Sequence, residues 1–113
     1  MNDMIVKINN KTYNRDQLGF KDMLHMEDMG YPISTLFQEQ KIASMATAFT
    51  GVVVGCDKEE AENLVEQHIM GGGNIADILN AFGKAVEESG FFKKLLGNEE
   101  QKSETAKKVT VKK

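Results

Sequence analysis

The sequence predicts a mainly α-helical fold, a compact bundle of about four to five helices with a short N-terminal β-hairpin and a disordered C-terminal tail. Apolar residues recur at three- and four-residue spacing through most of the chain, which is typical of helices that bury one face. An Asn-Asn pair between two short β-type runs near the N-terminus indicates a tight turn. Beyond residue 97, large apolar side chains are nearly absent, which is typical of disorder.

The length and charge of the chain fit one small domain with a basic extension. The chain has 113 residues and a formal net charge of −3. We expect a helical domain over residues 1–97 and a flexible Lys-rich tail over residues 98–113. The tail has five Lys against three Glu, whereas residues 1–97 have nine basic against fourteen acidic side chains. An acidic domain neutralises phosphates poorly, so we expect no nucleic-acid partner.

The cysteine count and the apolar segments bear on the cellular compartment. The single cysteine, Cys56, cannot form an internal disulfide, which fits a reducing compartment. The N-terminus lacks the pattern of a signal peptide. The longest apolar stretch, near residues 48–55, is too short to cross a bilayer. We therefore expect a cytoplasmic protein that has no membrane partner.

A hairpin and a short helix are predicted at the N-terminus. Apolar residues alternate over residues 4–8, and Asn tolerates positive φ, so Asn9-Asn10 indicates a hairpin over about residues 3–14. An isolated hairpin is marginal in water, so it must pack on helices or pair with another chain. A first helix is predicted over Phe20–Met29, because Gly30 favours a helix end and Pro32 prevents continuation.

Three longer helices and one short segment are predicted after Pro32. A second helix runs from about Thr35 or Gln38 to Val53. A third begins after Asp57 in a capping box and ends at Gly71–Gly73. A fourth begins after Asn74 and ends at Ser89-Gly90, and a short amphipathic turn or helix follows. The predicted core positions of these helices are Ile42, Met45, Ala46, Phe49 and Val53, then Ala61, Leu64, Val65, His68 and Ile69, and finally Ile75, Ile78, Leu79, Phe82, Ala85 and Val86.

The residues that could support catalysis or bind metal form no recognisable motif. Gly71–Gly73 precedes a helix as a phosphate loop does, but no Lys-Ser or Lys-Thr follows it, so a loop between helices is the better interpretation. His25, Cys56 and His68 lack metal-ligand spacing, and a Cys-His catalytic pair would need support from the fold. We interpret His68 as a partly buried structural residue and Cys56 as a small loop residue. We expect no enzymatic activity, no metal and no cofactor.

Two segments carry more apolar surface than a small core needs, and both are candidate protein-binding sites. The first predicted helix combines several Met with Phe20 and Leu24, and Met adapts to irregular partners. Two Phe and two Leu close the predicted domain, and they would form an interaction patch if exposed. Ordinary core packing is the alternative for each side chain. The candidate protein-binding residues are Met23, Met26, Met29, Phe91, Phe92, Leu95 and Leu96.

The order of these segments resembles that of a known protein family. The resemblance is carried by Phe20–Met23 with Met26-Glu27 and Gly30, by Lys41–Ala43 through Thr50-Gly51, by Glu60–Glu62 through Glu66–His68 with Gly72-Gly73, and by Ala85–Phe92. From Phe20 to about Leu96, the chain resembles the tail assembly chaperones of long-tailed bacteriophages (siphoviruses) and prophages of Gram-positive bacteria. The hairpin and the Lys-rich tail match less well.

The resemblance implies a small, largely helical, non-enzymatic protein that acts during virion assembly. Such proteins bind the tape-measure protein in the host bacterial cytoplasm and keep it soluble until tail-tube subunits polymerise around it. They are usually absent from the mature virion. A homo-oligomer is expected, and the tail-tube protein and a longer frameshifted form of the chain itself are further candidate partners. No site residue can be transferred from the family by motif.

The alternative is a small phage-encoded helical regulatory or DNA-binding protein. It would need a basic recognition helix. The second predicted helix has Lys41 as its single basic residue, and the third and fourth predicted helices are acidic. Only the tail is basic. A chaperone also accounts better for the Met-rich and Phe-Phe segments, because an aggregation-prone partner requires many weak and adaptable apolar contacts.

Overall fold

A computed structural model of the protein describes residues 4–95. It shows the predicted class, a mainly helical globule with an N-terminal antiparallel hairpin. The elements are β1 (Met4–Ile8), β2 (Lys11–Arg15), α1 (Phe20–Asp28), α2 (Ile33–Glu39), α3 (Ile42–Val54), α4 (Lys58–Met70), α5 (Ile75–Glu88) and a short helix α6 over residues 90–95. No helix within residues 4–95 has the length and apolar character needed to cross a membrane. The predicted tail lies outside the described residues.

The hairpin matches its prediction closely. Asn9 and Asn10 form the turn with φ values of 54° and 64°, as a two-residue type I′ turn requires. The side chains of Met4, Val6 and Ile8 are buried, whereas their neighbours in β1 are exposed. This alternation places one face of β1 on α4 and α5, so the hairpin gains its stability from the helices.

The predicted second helix is in fact two helices, α2 and α3. Gln40 adopts a left-handed conformation (φ 50°, ψ 43°), which ends α2, and Lys41 is extended. A left-handed residue interrupts the helical hydrogen-bond ladder even though no Gly or Pro marks the site. The start of α2 is also earlier than predicted, directly after Pro32. Ile42, which was predicted in the core, begins α3 and is 56% exposed.

Helix α3 is the centre of the fold. Residues 46–53 are all buried, and α3 packs against α1, α4, α5 and β2. Phe49 stacks on Phe82 of α5 with ring centroids 4.9 Å apart, and Phe37 of α2 lies 5.7 Å from the same ring. A helix that is buried on all sides along most of its length is typical of such a central position.

The predicted starts of α4 and α5 are confirmed by their capping contacts. The Asp57 carboxylate accepts the Glu60 N–H at 3.0 Å. The Asn74 side chain accepts the Ala76 N–H at 2.9 Å, and the Asp77 carboxylate accepts the Asn74 N–H.

Ile69 was predicted in the core and is instead 44% exposed. The buried side chains of α4 form a narrow stripe at spacings of four and three residues, and that stripe consists of Ala61, Val65 and His68.

Ser89 both ends α5 and begins α6. Its side chain is fully buried. Its hydroxyl donates to the Leu18 carbonyl at 2.7 Å and accepts the Phe92 N–H at 3.1 Å. Because Leu18 lies two residues before α1, this hydroxyl holds α6 beside the start of α1.

Arg15 fixes the end of the hairpin to two helices. Its guanidinium lies 3.2 Å from the carboxylate of Asp22 in α1 and also donates to the Val52 carbonyl in α3. The second oxygen of Asp22 accepts the Gly19 N–H at 2.8 Å, which satisfies an amide at the start of α1. These contacts connect β2, α1 and α3.

Candidate functional site

Helices α1 and α6 share an apolar surface. The rings of Phe20 and Phe91 meet edge to face, with centroids 5.9 Å apart and planes at 74°. Leu24 follows Phe20 by one helical turn, and Leu95 follows Phe91 in the same way. Phe20 is 54% and Leu24 is 44% exposed, while Met23, Phe91 and Leu95 are half-buried. We call these five residues the α1–α6 surface.

The local sequence explains why this surface points outward. In α1 the inward positions are Asp22 and Met26, with Met29 just after the helix end, and this spacing leaves Phe20 and Leu24 on the opposite side. In α6 the fully buried Phe92 anchors the helix to the core. Burial of Phe92 leaves Phe91 only partly covered, with its ring 5.4 Å from that of Phe92.

The predicted protein-binding residues divide into three groups. Those within the α1–α6 surface are Met23, Phe91 and Leu95. Three others require correction, because they are core residues with almost no area open to a partner. They are Met26, Met29 and Phe92. Met29 is buried because it lies against Gly51 of α3, where a Cβ atom would be 2.3 Å from the Met29 Cε. Leu96 lies outside the described residues.

Phe20 and Leu24 belong to the surface but are not among the predicted protein-binding residues. The sequence places both beside the methionines of the first helix without predicting their exposure. A signal was present, since they are four residues apart and fall between the positions that α1 buries. The other exposed large apolar side chains in the described part of the chain lie on different elements, and they are Ile5, Ile42, Ile69 and Met70.

The fold also brings His25 and Cys56 together at an open cleft of about 500 Å³ between α1 and the start of α4. Their contact is through the backbone, because the His25 Nε2 lies 2.8 Å from the Cys56 carbonyl oxygen. Asp28, Asp57 and Glu59 also line the cleft. In this geometry the imidazole binds a carbonyl and is not in hydrogen-bond contact with the thiol.

The electrostatic surroundings of Cys56 disfavour a nucleophilic role. Burial raises the pKa of its thiol above the ordinary value of 9.0, and the carboxylates of Glu60 and Asp57 raise the pKa further. A reactive cysteine needs the opposite, an electropositive site that lowers the pKa. Among residues 4–95, no group of three or more His, Cys, Asp or Glu side chains could hold a metal ion.

His68 occupies the structural position that the sequence predicts. It is 8% exposed. Its Nδ1 accepts the Asn9 N–H at 2.9 Å, and its Nε2 lies 3.1 Å from the Asn74 carbonyl oxygen. The Gly71–Gly73 segment is the predicted loop between two helices, and Gly72 has a φ of +102°. Gly73 packs against the imidazole, leaving no room for a Cβ atom.

These observations leave the α1–α6 surface as the best candidate site in the described part of the chain. Comparisons with protein-family models, curated proteins and solved structures found no match. The contacting rings of Phe20 and Phe91 form a rigid part of the α1–α6 surface. The half-buried Met23 adds a flexible side chain that can adapt to a partner. Such a surface suits the apolar face of a helix from another protein.

Proposed function

We propose that the protein is a bacteriophage tail assembly chaperone that binds the tape-measure protein and keeps it soluble during assembly of the tail tube. The observation that carries this proposal is the α1–α6 surface. Phe20 and Leu24 leave about half of their area open beside Phe91, and adjoining exposed apolar side chains are typical of interaction sites. The resemblance in segment order between Phe20 and about Leu96 supports the same assignment.

The chemistry of the surface suits a long, apolar and helical client. An amphipathic helix presents anchors at spacings of three and four residues, and Phe20 with Leu24 offers complementary contacts one turn apart. Met23 adapts to anchors of different shape, so one surface can bind many client segments weakly. The exposed Glu59, Glu62 and Glu66 of α4 add negative charge that opposes aggregation of the complex.

The proposal has further parts that follow from the same family resemblance. The chain would act as a homo-oligomer in the host bacterial cytoplasm and would be absent from the mature virion. The tail-tube protein and a longer frameshifted form of the chain would be additional partners. It would perform no enzymatic reaction. Many copies along one client would turn weak individual contacts into stable binding.

Co-expression with the tape-measure protein encoded in the same phage or prophage genome tests the proposal. We expect the tape-measure protein to move from the insoluble to the soluble fraction and to co-purify with the tagged chain. The double variant Phe20→Ser, Leu24→Ser should lose both effects. The matched control is Ile42→Ser, Met70→Ser, which removes two exposed apolar side chains from other helices and should retain both.

Two outcomes would contradict the proposal. In the first, the wild-type chain neither solubilises nor co-purifies the tape-measure protein. In the second, the Ile42 and Met70 variant loses as much binding as the Phe20 and Leu24 variant, which would remove the role of the α1–α6 surface. Thermal unfolding of both double variants establishes that loss of binding is not loss of the fold. Salt-dependent DNA binding by the chain would favour the regulatory alternative instead.

A further inference from the structure

His68 connects three parts of the fold through its two ring nitrogens. It projects from α4, and its Nδ1 accepts the N–H of Asn9 in the hairpin turn at 2.9 Å. Its Nε2 lies 3.1 Å from the carbonyl oxygen of Asn74, the residue that caps α5. A neighbouring contact runs from the Asn9 side-chain amide to Gln67 at 2.9 Å. The hairpin turn is therefore attached to α4 at two consecutive residues.

These partners require one form of the imidazole. A backbone N–H is only a donor, so Nδ1 facing Asn9 must be unprotonated. A carbonyl oxygen is only an acceptor, so Nε2 facing Asn74 carries the proton. The ring is thus neutral with hydrogen on Nε2. Protonation of Nδ1 would place its N–H against the Asn9 N–H, so that two donors would face each other at a residue that is only 8% exposed.

The other histidine is placed differently. His25 makes its hydrogen bond from Nε2 to the Cys56 carbonyl oxygen at 2.8 Å, and the imidazolium form can still donate that bond. Protonation of His25 therefore keeps its contact, whereas protonation of His68 breaks one. The sequence has two histidines, so each serves as the control for the other.

Among the described residues, one carboxylate approaches the His68 ring. Asp77 of α5 has a carboxylate oxygen 3.4 Å from Nε2, but its side chain is 59% exposed and its charge is screened by solvent. On the hairpin, Lys11 follows the turn, and its ammonium lies 5.4 Å from the Tyr13 ring centroid. Glu66, on α4 itself, lies two residues before His68 and is exposed, and the Gly71–Gly73 loop has no ionisable side chain. The Nδ1 contact is therefore the feature that distinguishes the two charge states.

We propose that His68 is a pH-sensitive latch that holds the β-hairpin turn on the helical body only while its imidazole is neutral. Acidification releases the Asn9 amide and loosens the hairpin. Because Val6 and Ile8 of β1 are buried against α4 and α5, a loosened hairpin uncovers part of the apolar core. This inference does not depend on the chaperone assignment, and its test needs no partner protein.

Nuclear magnetic resonance on the full chain tests the latch. At about pH 7.5 we expect the nitrogen spectra of His68 to show an unprotonated Nδ1 and a protonated Nε2. When the pH is lowered until the nitrogen spectra show that His68 is protonated, exchange protection of the Asn9 amide should fall about tenfold relative to Phe49 in α3, as expected for loss of one hydrogen bond. The His68→Asn variant keeps an acceptor near the Nδ1 position and cannot titrate, so it should retain protection at both pH values.

Two controls separate the latch from general acid effects. His25→Gln should leave the response of Asn9 unchanged, and Asp77→Asn should preserve the response. The proposal is overturned if Nδ1 carries the proton at neutral pH, if Asn9 stays protected after His68 has been protonated, or if His68 remains neutral until the whole protein unfolds. Loss of the response in the His25 variant would also overturn it.

Discussion

Phe20 at the start of α1 and Phe91 in α6 contact each other edge to face, with ring centroids 5.9 Å apart. The contact joins two segments that the sequence predicts as separate candidate sites. It exists because the Ser89 hydroxyl binds the Leu18 carbonyl and so places α6 beside α1. The candidate binding surface is therefore a product of the tertiary fold and cannot be assigned to either helix alone.

The first prediction concerns the energy of this aromatic contact. A double-mutant cycle with Phe20→Ala and Phe91→Ala should give a coupling free energy of about 0.5–1 kcal/mol in urea unfolding, as edge-to-face pairs do beyond their buried area. A second cycle pairs Phe91→Ala with Ile42→Ala, whose side chain is exposed on α3. That cycle should be additive. Equal coupling in both cycles would contradict a specific Phe20–Phe91 contact.

The second prediction compares two glycines. A Cβ atom on Gly73 would lie 2.6 Å from the His68 Nε2, so Gly73→Ala should destabilise the fold by about 1–3 kcal/mol through steric overlap. Gly83 lies within α5 and has no neighbouring atom within 4 Å of an added Cβ. Gly83→Ala should instead stabilise by about 0.5–1 kcal/mol, because alanine favours the helix. Thermal unfolding of both variants measures the difference in sign.

The third prediction compares two threonines of α3. The Thr50 hydroxyl is buried and has no hydrogen-bond partner among the described residues. Thr50→Val should therefore leave stability unchanged or raise it by about 1 kcal/mol. The Thr47 hydroxyl donates to the Ala43 carbonyl at 2.7 Å, so Thr47→Val removes a hydrogen bond and should be the less stable variant. Denaturant unfolding that ranks them in the reverse order would contradict this.

The fourth prediction concerns the reactivity of the Cys56 thiol. Burial, together with Glu60 and Asp57, raises the pKa of the thiol, so the native protein should react with iodoacetamide more slowly than the unfolded chain at about pH 8.5. Glu60→Gln should speed the native reaction, whereas Glu62→Gln, with the same change in charge, should not. Native reactivity above that of the unfolded chain would contradict the assignment.

The same raised pKa has a consequence for stability. In the folded state the thiol holds its proton to higher pH than in the unfolded state. The favourable contribution is therefore complete below the unfolded pKa and is lost as pH rises through the folded pKa. Stability of the wild type should decline in this alkaline range more steeply than stability of Cys56→Ser, as measured by urea unfolding at successive pH values.

Local signals explain the parts of the fold that the sequence predicts well. The Asn9-Asn10 turn, the Asp57 cap and the Asn74 cap are each specified within a few neighbouring residues, and all three are present. The break at Gln40 was not predicted, because no Gly or Pro marks it, although four consecutive polar residues from Gln38 to Lys41 interrupt the apolar spacing there. A left-handed conformation is unfavourable for Gln, so local propensity does not predict it.

The candidate site shows a second limit of sequence reasoning. The composition of α1 indicated excess apolar surface, but it did not indicate which side α3 would cover. Packing against α3 buries Met26 and Met29 and leaves Phe20 and Leu24 exposed. Similarly, two adjacent Phe could not be assigned to core or surface until the Ser89 contact fixed the orientation of α6. Each residue's role depended on a partner that is distant along the chain.

The buried Ser89 hydroxyl has a consequence for the order in which the domain can mature during translation. Leu18 leaves the ribosome long before Ser89, whose hydroxyl binds the Leu18 carbonyl. The segment before α1 therefore cannot make this contact until almost the whole described domain has been synthesised. Nascent chains that stop before residue 89 would carry an uncovered apolar segment, and such chains are the species most exposed to proteolysis or aggregation.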